Sequence, residues 1–149
     1  MNKIAVVGAG ISGLSMANYL EKHKIDYHIY ERRKKEDLAG HGFLIPQEGI
    51  EYLTQIIEPD LLFEHGSFLK KYIQYSHTGK ILAEKDLNNV FAISRHSLIN
   101  LLSRNISPEK ITYEKTVIPC DRQKGSLKQP DGTYIEAEIA IISDGSRSR

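Results

Sequence analysis

The first 31 residues constrain this chain more than any other stretch. A β-branched run, Lys3-Ile4-Ala5-Val6-Val7, leads straight into Gly8-Ala9-Gly10-Ile11-Ser12-Gly13, after which Leu14, Ala17, Tyr19 and Leu20 recur at near-helical spacing. A second strand is expected at residues 27–30, followed at once by Glu31. Strand, glycine turn, helix, strand and acid in that order predict a βαβ unit that holds a dinucleotide.

Each position has a physical task. Gly8 allows a tight turn out of the strand, Gly10 removes a Cβ from the path of a pyrophosphate, and Gly13 lets the helix settle close to the sheet. A helix beginning near Ile11 and running through Ser12 aims unpaired N–H groups and its positive dipole end at the phosphates. Glu31 stands 18 residues after Gly13, near the usual offset of about 20. A carboxylate there accepts hydrogen bonds from ribose hydroxyls and repels a 2′-phosphate, so FAD or NAD is expected rather than NADP.

Gly8 to Leu14 followed by Tyr30-Glu31-Arg32 resembles the opening of the FAD-dependent aromatic hydroxylases and related flavoprotein monooxygenases. The last eleven residues, Ile139-Ala140-Ile141-Ile142-Ser143-Asp144-Gly145-Ser146-Arg147-Ser148-Arg149, are similar to that family's second fingerprint, an apolar strand running into Asp-Gly. Ser143 stands where the family usually has alanine. Ile93-Ser94-Arg95, opening a leucine-rich helix, resembles the family's FAD-contacting arginine. Gly40-His41-Gly42-Phe43-Leu44-Ile45-Pro46 looks like its loop beneath the cofactor.

The resemblance implies FAD as cofactor, NAD(P)H as transient reductant, and insertion of oxygen into a small organic substrate, aromatic molecules among the candidates. It also implies cofactor contacts at Gly8, Gly10, Ile11, Ser12, Gly13, Glu31, Arg32, Gly42, Arg95, Asp144 and Gly145. Residues 1–149 are then the N-terminal part of an FAD-binding domain. The family's Gly-Asp fingerprint and most of its substrate domain are expected in a further C-terminal segment or a partner chain, so the fold is expected to be truncated.

Charge and cysteine content narrow the partners. Twenty Lys plus Arg against 19 Asp plus Glu give a net charge of +1, so no global field draws the chain to nucleic acid or anionic lipid. Cys120 is the one cysteine and cannot close an intrachain disulfide; no CxxC or His/Cys cluster has metal-ligand spacing. Residues 4–7 are too short for the apolar region of a signal peptide. No window approaches the roughly 18 apolar residues of a membrane span, and a metal-free cytoplasmic protein is expected.

Between the fingerprints, helical segments are expected at 48–53 and 56–62, broken around Pro59, and a strand at 67–76. A turn at His77-Thr78-Gly79 feeds a strand at 80–83, and a helix starts at Arg95. Short strands are expected at 111–113 and 116–118, a hairpin turn at 129–133 and a last strand at 139–143. Unbroken apolar runs in the first and last strands predict parallel strands buried on both faces, whereas the central hairpins predict an antiparallel β-meander. The fold class is therefore α/β and Rossmann-like, combining a parallel sheet with that meander.

Gly8, Glu31 and Asp144 each follow a strand, which brings them to one end of the sheet. Arg32 or Arg33 could reach adenosine or pyrophosphate, and Lys34 and Lys35 are expected to keep a loop solvated. None of the six histidines forms a triad or metal pattern, although His41 and His96 adjoin cofactor segments. No catalytic residue is assigned. The alternatives are a non-catalytic FAD- or NAD-binding module acting through a partner and half of an NAD-dependent dehydrogenase.

Overall fold

Four apolar residues in a row, three of them β-branched, make Ile4–Val7 an extended strand, β1, buried along its whole length. In the computed structural model, which describes residues 4–35, 41–120 and 125–145, β1 leads into helix α1 (Ile11–Lys22) and strand β2 (Tyr27–Tyr30). The rest of the order is β3 (Gly42–Ile45), α2 (Gln47–Leu53), α3 (Pro59–Glu64), β4 (Gly66–Tyr75), β5 (Ile81–Ser94) and α4 (Arg95–Ser103). Then come a 3-10 turn at Pro108–Lys110 and strands β6 (Ile111–Thr112), β7 (Ile118–Pro119), β8 (Leu127–Lys128), β9 (Tyr134–Ile135) and β10 (Ile139–Ile142). The fold is mixed α/β.

The chain divides into two units, one built from Met1–Ala39 with Ile99–Arg149 and one from Gly40–Leu98. The first holds a four-stranded sheet in the order β10-β1-β2-β6, parallel throughout. On one face, α1 comes so close that a Cβ on Gly13 would lie 3.5 Å from Val6 Cγ1. Buried Asn18 of α1 donates to the carbonyls of Leu14 and of Leu102 in α4, both at 2.8 Å. On the other face, Ala5, Val7 and Tyr30 form a core with Leu127 of β8 in the antiparallel β7-β8-β9 meander and with Val117 and Ala137, which flank that meander.

The second unit is an antiparallel sheet in the order β3-β5-β4. Phe63, Phe68 and Phe91 pack ring against ring, with centroids 5.2 to 5.7 Å apart. The expected turn at 77–79 closes the β4–β5 hairpin, with Gly79 at φ +84° and its N–H donating to Ser76.

Three expectations are corrected. Pro59 opens α3 instead of breaking a helix, because a first-turn proline has no intrahelical N–H partner to lose; Ile56 and Ile57 lie in the connection before it. β5 runs to Ser94, well past the expected residue 83, because backbone pairing with β4 extends it through Glu84-Lys85-Asp86, where side-chain alternation gives no strand signal. β10 is not buried on both faces: it is an edge strand, with Ile139 52% and Ile142 42% exposed. The assignments at Lys3, Glu36, Asp37, Gly40 and Ser146 to Arg149 lie outside the described residues.

Candidate functional site

The parallel register aligns four strand ends. Val7 pairs with both Tyr30 and Ile142, and Tyr30 pairs with Thr112, so the carboxyl ends of β1, β2, β6 and β10 lie in one row. From β1 the chain passes to β2 on one side and returns as β10 on the other. The strand order therefore reverses between β1 and β10, which in open α/β sheets is where a crevice forms beyond the strand ends.

Gly8 occupies that crevice. Its φ is +103°, and a Cβ there would lie 2.5 Å from the Ser143 carbonyl oxygen and 3.2 Å from Asp144 Cα, so both conformation and space require glycine. Gly8 N–H donates to Tyr30 O at 2.8 Å, and Ser143 N–H donates to Val7 O at 2.8 Å. Gly13 is tighter still, since a Cβ would stand 1.9 Å from Gly8 O. Gly10, at φ −76°, needs no glycine for its backbone angles and serves as N-cap of α1.

No side chain caps that helix start, and its first turn carries no acid. Its leading N–H groups and positive dipole end are thus left for an outside acceptor. Ile11 is half-buried at this end and Ser12 is exposed.

Glu31 does more than its sequence position suggested. Only 6% exposed, it accepts Ala9 N–H on Oε2 at 2.7 Å and Arg33 N–H on Oε1 at 2.9 Å. Its backbone N–H donates to Thr112 O and its carbonyl accepts from Lys115. The carboxylate therefore ties the glycine turn to the end of β2. Each oxygen keeps a second lone pair, so two acceptor directions remain. Charge-assisted bonds of this kind identify a loop staple, but nothing in the residue order predicted that β2 would approach Ala9 so closely.

Arg32 follows as an exposed residue and Arg33 is half-buried. Lys34 is solvated as expected, with Glu114 at 3.9 Å as its carboxylate neighbour. Asp144 is half-buried beside Gly8, and Gly145 is exposed with φ +81°. The first unit thus brings together Gly8, Gly10, Gly13, Glu31 and Asp144.

Gly42 and Arg95 belong to the second unit. Gly42 pairs with Ser94, and Arg95 N–H donates to His41 O at 3.2 Å. Ser94 Oγ accepts Ser97 N–H at 3.0 Å and so caps α4. The Arg95 guanidinium carbon lies 5.9 Å from the Phe43 ring centroid, and its buried Nε has no hydrogen-bond partner among the described residues. His41 and His96 are exposed. A shallow groove in this unit is lined by Gly42, Phe43, His65, Gly66, Ser67 and Ala92 among others.

Comparison with known proteins agrees with this geometry. Residues 6–67 match the NAD(P)-binding Rossmann-like domain family. The chain is 25% identical over 155 aligned residues to 2-heptyl-3-hydroxy-4(1H)-quinolone synthase of Pseudomonas aeruginosa PAO1, covering 97% of this chain and 40% of that protein. It is 27% identical to 6-hydroxynicotinate 3-monooxygenase of Pseudomonas fluorescens, covering 99% of this chain and 41% of the relative. Among solved structures, 2,6-dihydroxypyridine-3-hydroxylase of Arthrobacter nicotinovorans superimposes with a TM-score of 0.80 at 27% identity, over 99% of this chain and 38% of that one. The chain spans about two-fifths of the length of these proteins. Among the described residues, no helix is long and apolar enough to cross a membrane.

Proposed function

We propose that this chain is the FAD-binding part of an NAD(P)H-dependent flavoprotein monooxygenase that inserts oxygen into a small, ring-bearing organic substrate in the cytoplasm. One observation carries the reading: the Gly8 turn, the stapled Glu31 and Asp144 meet at the aligned ends of parallel strands, beside the uncapped start of α1. Similarity to 6-hydroxynicotinate 3-monooxygenase and 2,6-dihydroxypyridine-3-hydroxylase supports the ring-bearing substrate.

The residues fit the cofactor. The turn is drawn tight by glycine: a Cβ at Gly8 would strike the Ser143 carbonyl and one at Gly13 the Gly8 carbonyl, so the start of α1 is held against the strand ends where a pyrophosphate would lie. The N–H groups of Ile11, Ser12 and Gly13 would hold the phosphates, with Gly10 giving clearance. The free lone pairs of Glu31 would take the adenosine ribose hydroxyls, and Arg32 would lie along the same end. Asp144 and Gly145 would line the other side of the crevice. In the second unit, Arg95 Nε, without a partner among the described residues, is a donor awaiting an acceptor, and Gly42 pairs with Ser94 next to Arg95. Bound FAD would supply the redox chemistry, taking a hydride from NAD(P)H and passing electrons to O2, one oxygen atom going to the substrate and the other to water.

The test is an absorbance titration of the purified 149-residue chain with FAD. A stoichiometric, resolved flavin spectrum is the expected result, followed by assay of NAD(P)H oxidation. A folded chain that leaves the FAD spectrum unchanged would remove the reading. FAD binding without NAD(P)H oxidation would favour a nucleotide-binding module that works through a partner.

A further inference from the structure

One face of the second unit's sheet is core and the other is bare. Gly42 pairs with Ser94, and Leu44 and Ser67 both pair with Ala92, so these residues share a face. Phe91 and Ile93 alternate to the opposite face and are buried there. On the bare face, Gly42, Ser67, Ala92 and Ser94 carry nothing longer than a serine side chain, which leaves a flat floor. Leu44 of the outer strand β3, 64% exposed, stands at its edge as an apolar wall. These residues line the groove of this unit, whose volume of about 710 Å³ falls inside the roughly 300–1,000 Å³ range of small-molecule sites. A flat floor with one apolar wall suits the face of a planar ring.

One polar side chain on the rim is oriented for chemistry. His65, which also lines the groove, closes the C-terminus of α3: its backbone N–H donates to Leu62 O, and its Nδ1 lies 2.8 Å from Leu61 O. A carbonyl oxygen only accepts, so Nδ1 carries the hydrogen and Nε2 of the neutral imidazole keeps its lone pair. Among the described residues that lone pair has no partner. The Ser94 hydroxyl does not compete for it, since its proton goes to Ser97 Oγ.

We infer that this groove seats a planar ring bearing an acidic O–H or N–H, and that His65 Nε2 accepts that proton. The proton passes from the ring heteroatom to Nε2, the electron pair stays on the ring as an anion, and the imidazolium formed has Glu64 next to it in the chain. A deprotonated ring is richer in electrons and reacts more readily with electrophilic oxygen, which makes His65 a catalytic base for the proposed oxygen insertion. That role rests on the monooxygenase reading; ring binding and proton transfer do not.

The test titrates the 149-residue chain with para-nitrophenol, whose anion is yellow. Amide NMR signals of Leu44, Ser67 and Ala92 should move saturably with a Kd on the order of 1 mM, and the bound probe should ionise about tenfold more readily than the free one. His65→Gln should leave the probe bound but return its ionisation to that of free probe, a change that a merely structural histidine would not produce. Ala92→Leu fills the floor and should abolish binding, with amide spectra checking that both variants fold. The inference is overturned if the probe does not bind, if it moves amides away from this face, or if either variant leaves its signal unchanged. FAD titration in parallel separates the two ideas: FAD binding without probe binding defeats only the ring site, and probe binding without FAD binding defeats only the cofactor reading.

Discussion

β1 and β10 have nearly the same sequence, Ile-Ala-Val-Val against Ile-Ala-Ile-Ile, and lie side by side in parallel register, yet one is core and the other is rim. Val6 is fully shielded, whereas Ile139 at the start of β10 is half exposed. β1 has a strand on each edge, α1 over one face and the meander over the other. β10 has β1 on one edge and no described strand on the other. Side-chain type sets the tendency to be extended, while neighbours set burial. The same aliphatic residue contributes roughly 1.5–3 kcal/mol when fully buried and much less at a half-wet edge.

The severest way to break that contrast is to lift α1 off β1. Gly13→Ala places a Cβ against the Gly8 carbonyl oxygen, a backbone atom that cannot swing aside, and should cost about 4 kcal/mol or more; urea denaturation should show little cooperative unfolding, and a near-normal midpoint would mean that the helix can withdraw. Glu31→Ala frees the glycine turn and removes the acceptors proposed for the ribose, so FAD affinity measured by titration should fall by roughly 1.5 to 3 kcal/mol. Unchanged affinity would take Glu31 out of the site.

Val6→Ala removes two methyls from the shielded strand and should lower stability by roughly 2 kcal/mol, whereas Ile139→Ala on the rim should change it by less than about 0.5 kcal/mol. Equal losses in urea melts would show that β10 is covered after all.

The smallest effect concerns the opposite flank of the sheet. There Tyr27 OH and Lys110 Nζ both donate to Glu21 Oε1, at 2.8 and 2.7 Å, and the ammonium sits over the Tyr27 ring. The Lys110 hydrogen bond holds the Glu21 carboxyl below its ordinary value of 4.5. A lowered carboxylate pKa lends stability that is complete above the unfolded value and drains away as pH falls through the folded one. Wild type should therefore lose slightly more of its urea midpoint below about pH 4.5 than Lys110→Met does. Parallel curves would show that the clamp contributes nothing measurable.

Much of the first unit was legible in sequence, because its signals are local. The glycine spacing, the helix period from Leu14 to Leu20 and the acid after Tyr30 located β1, the start of α1 and β2 to within a residue. The Gln129–Thr133 turn was equally readable: Asp131 Oδ1 accepts from Thr133 N–H and Gly132 takes φ +89°. β5 was harder, since Glu84-Lys85-Asp86 belong to a strand only through their pairing with β4 and Asn88-Asn89 fall at a shift in that pairing's register. Pro59 carries the same ambiguity in any sequence, as it ends helices and begins them.

The sequence by itself determined that a strand, a glycine turn and a helix would leave a backbone cradle at one strand end. Those preferences come from steric limits on φ and ψ and from side-chain period, which act within a few residues. Only the tertiary structure decided that β10 returns beside β1, that Ser143 closes against Gly8, and that the Glu31 carboxylate binds the Ala9 and Arg33 N–H groups as well as keeping two lone pairs free. Apart from the local Glu31–Arg33 bond, these contacts join residues 22 to 135 positions apart. No local preference encodes such a pairing; it follows from burying Val6 and its neighbours between α1 and the meander, which leaves the strand ends in one row.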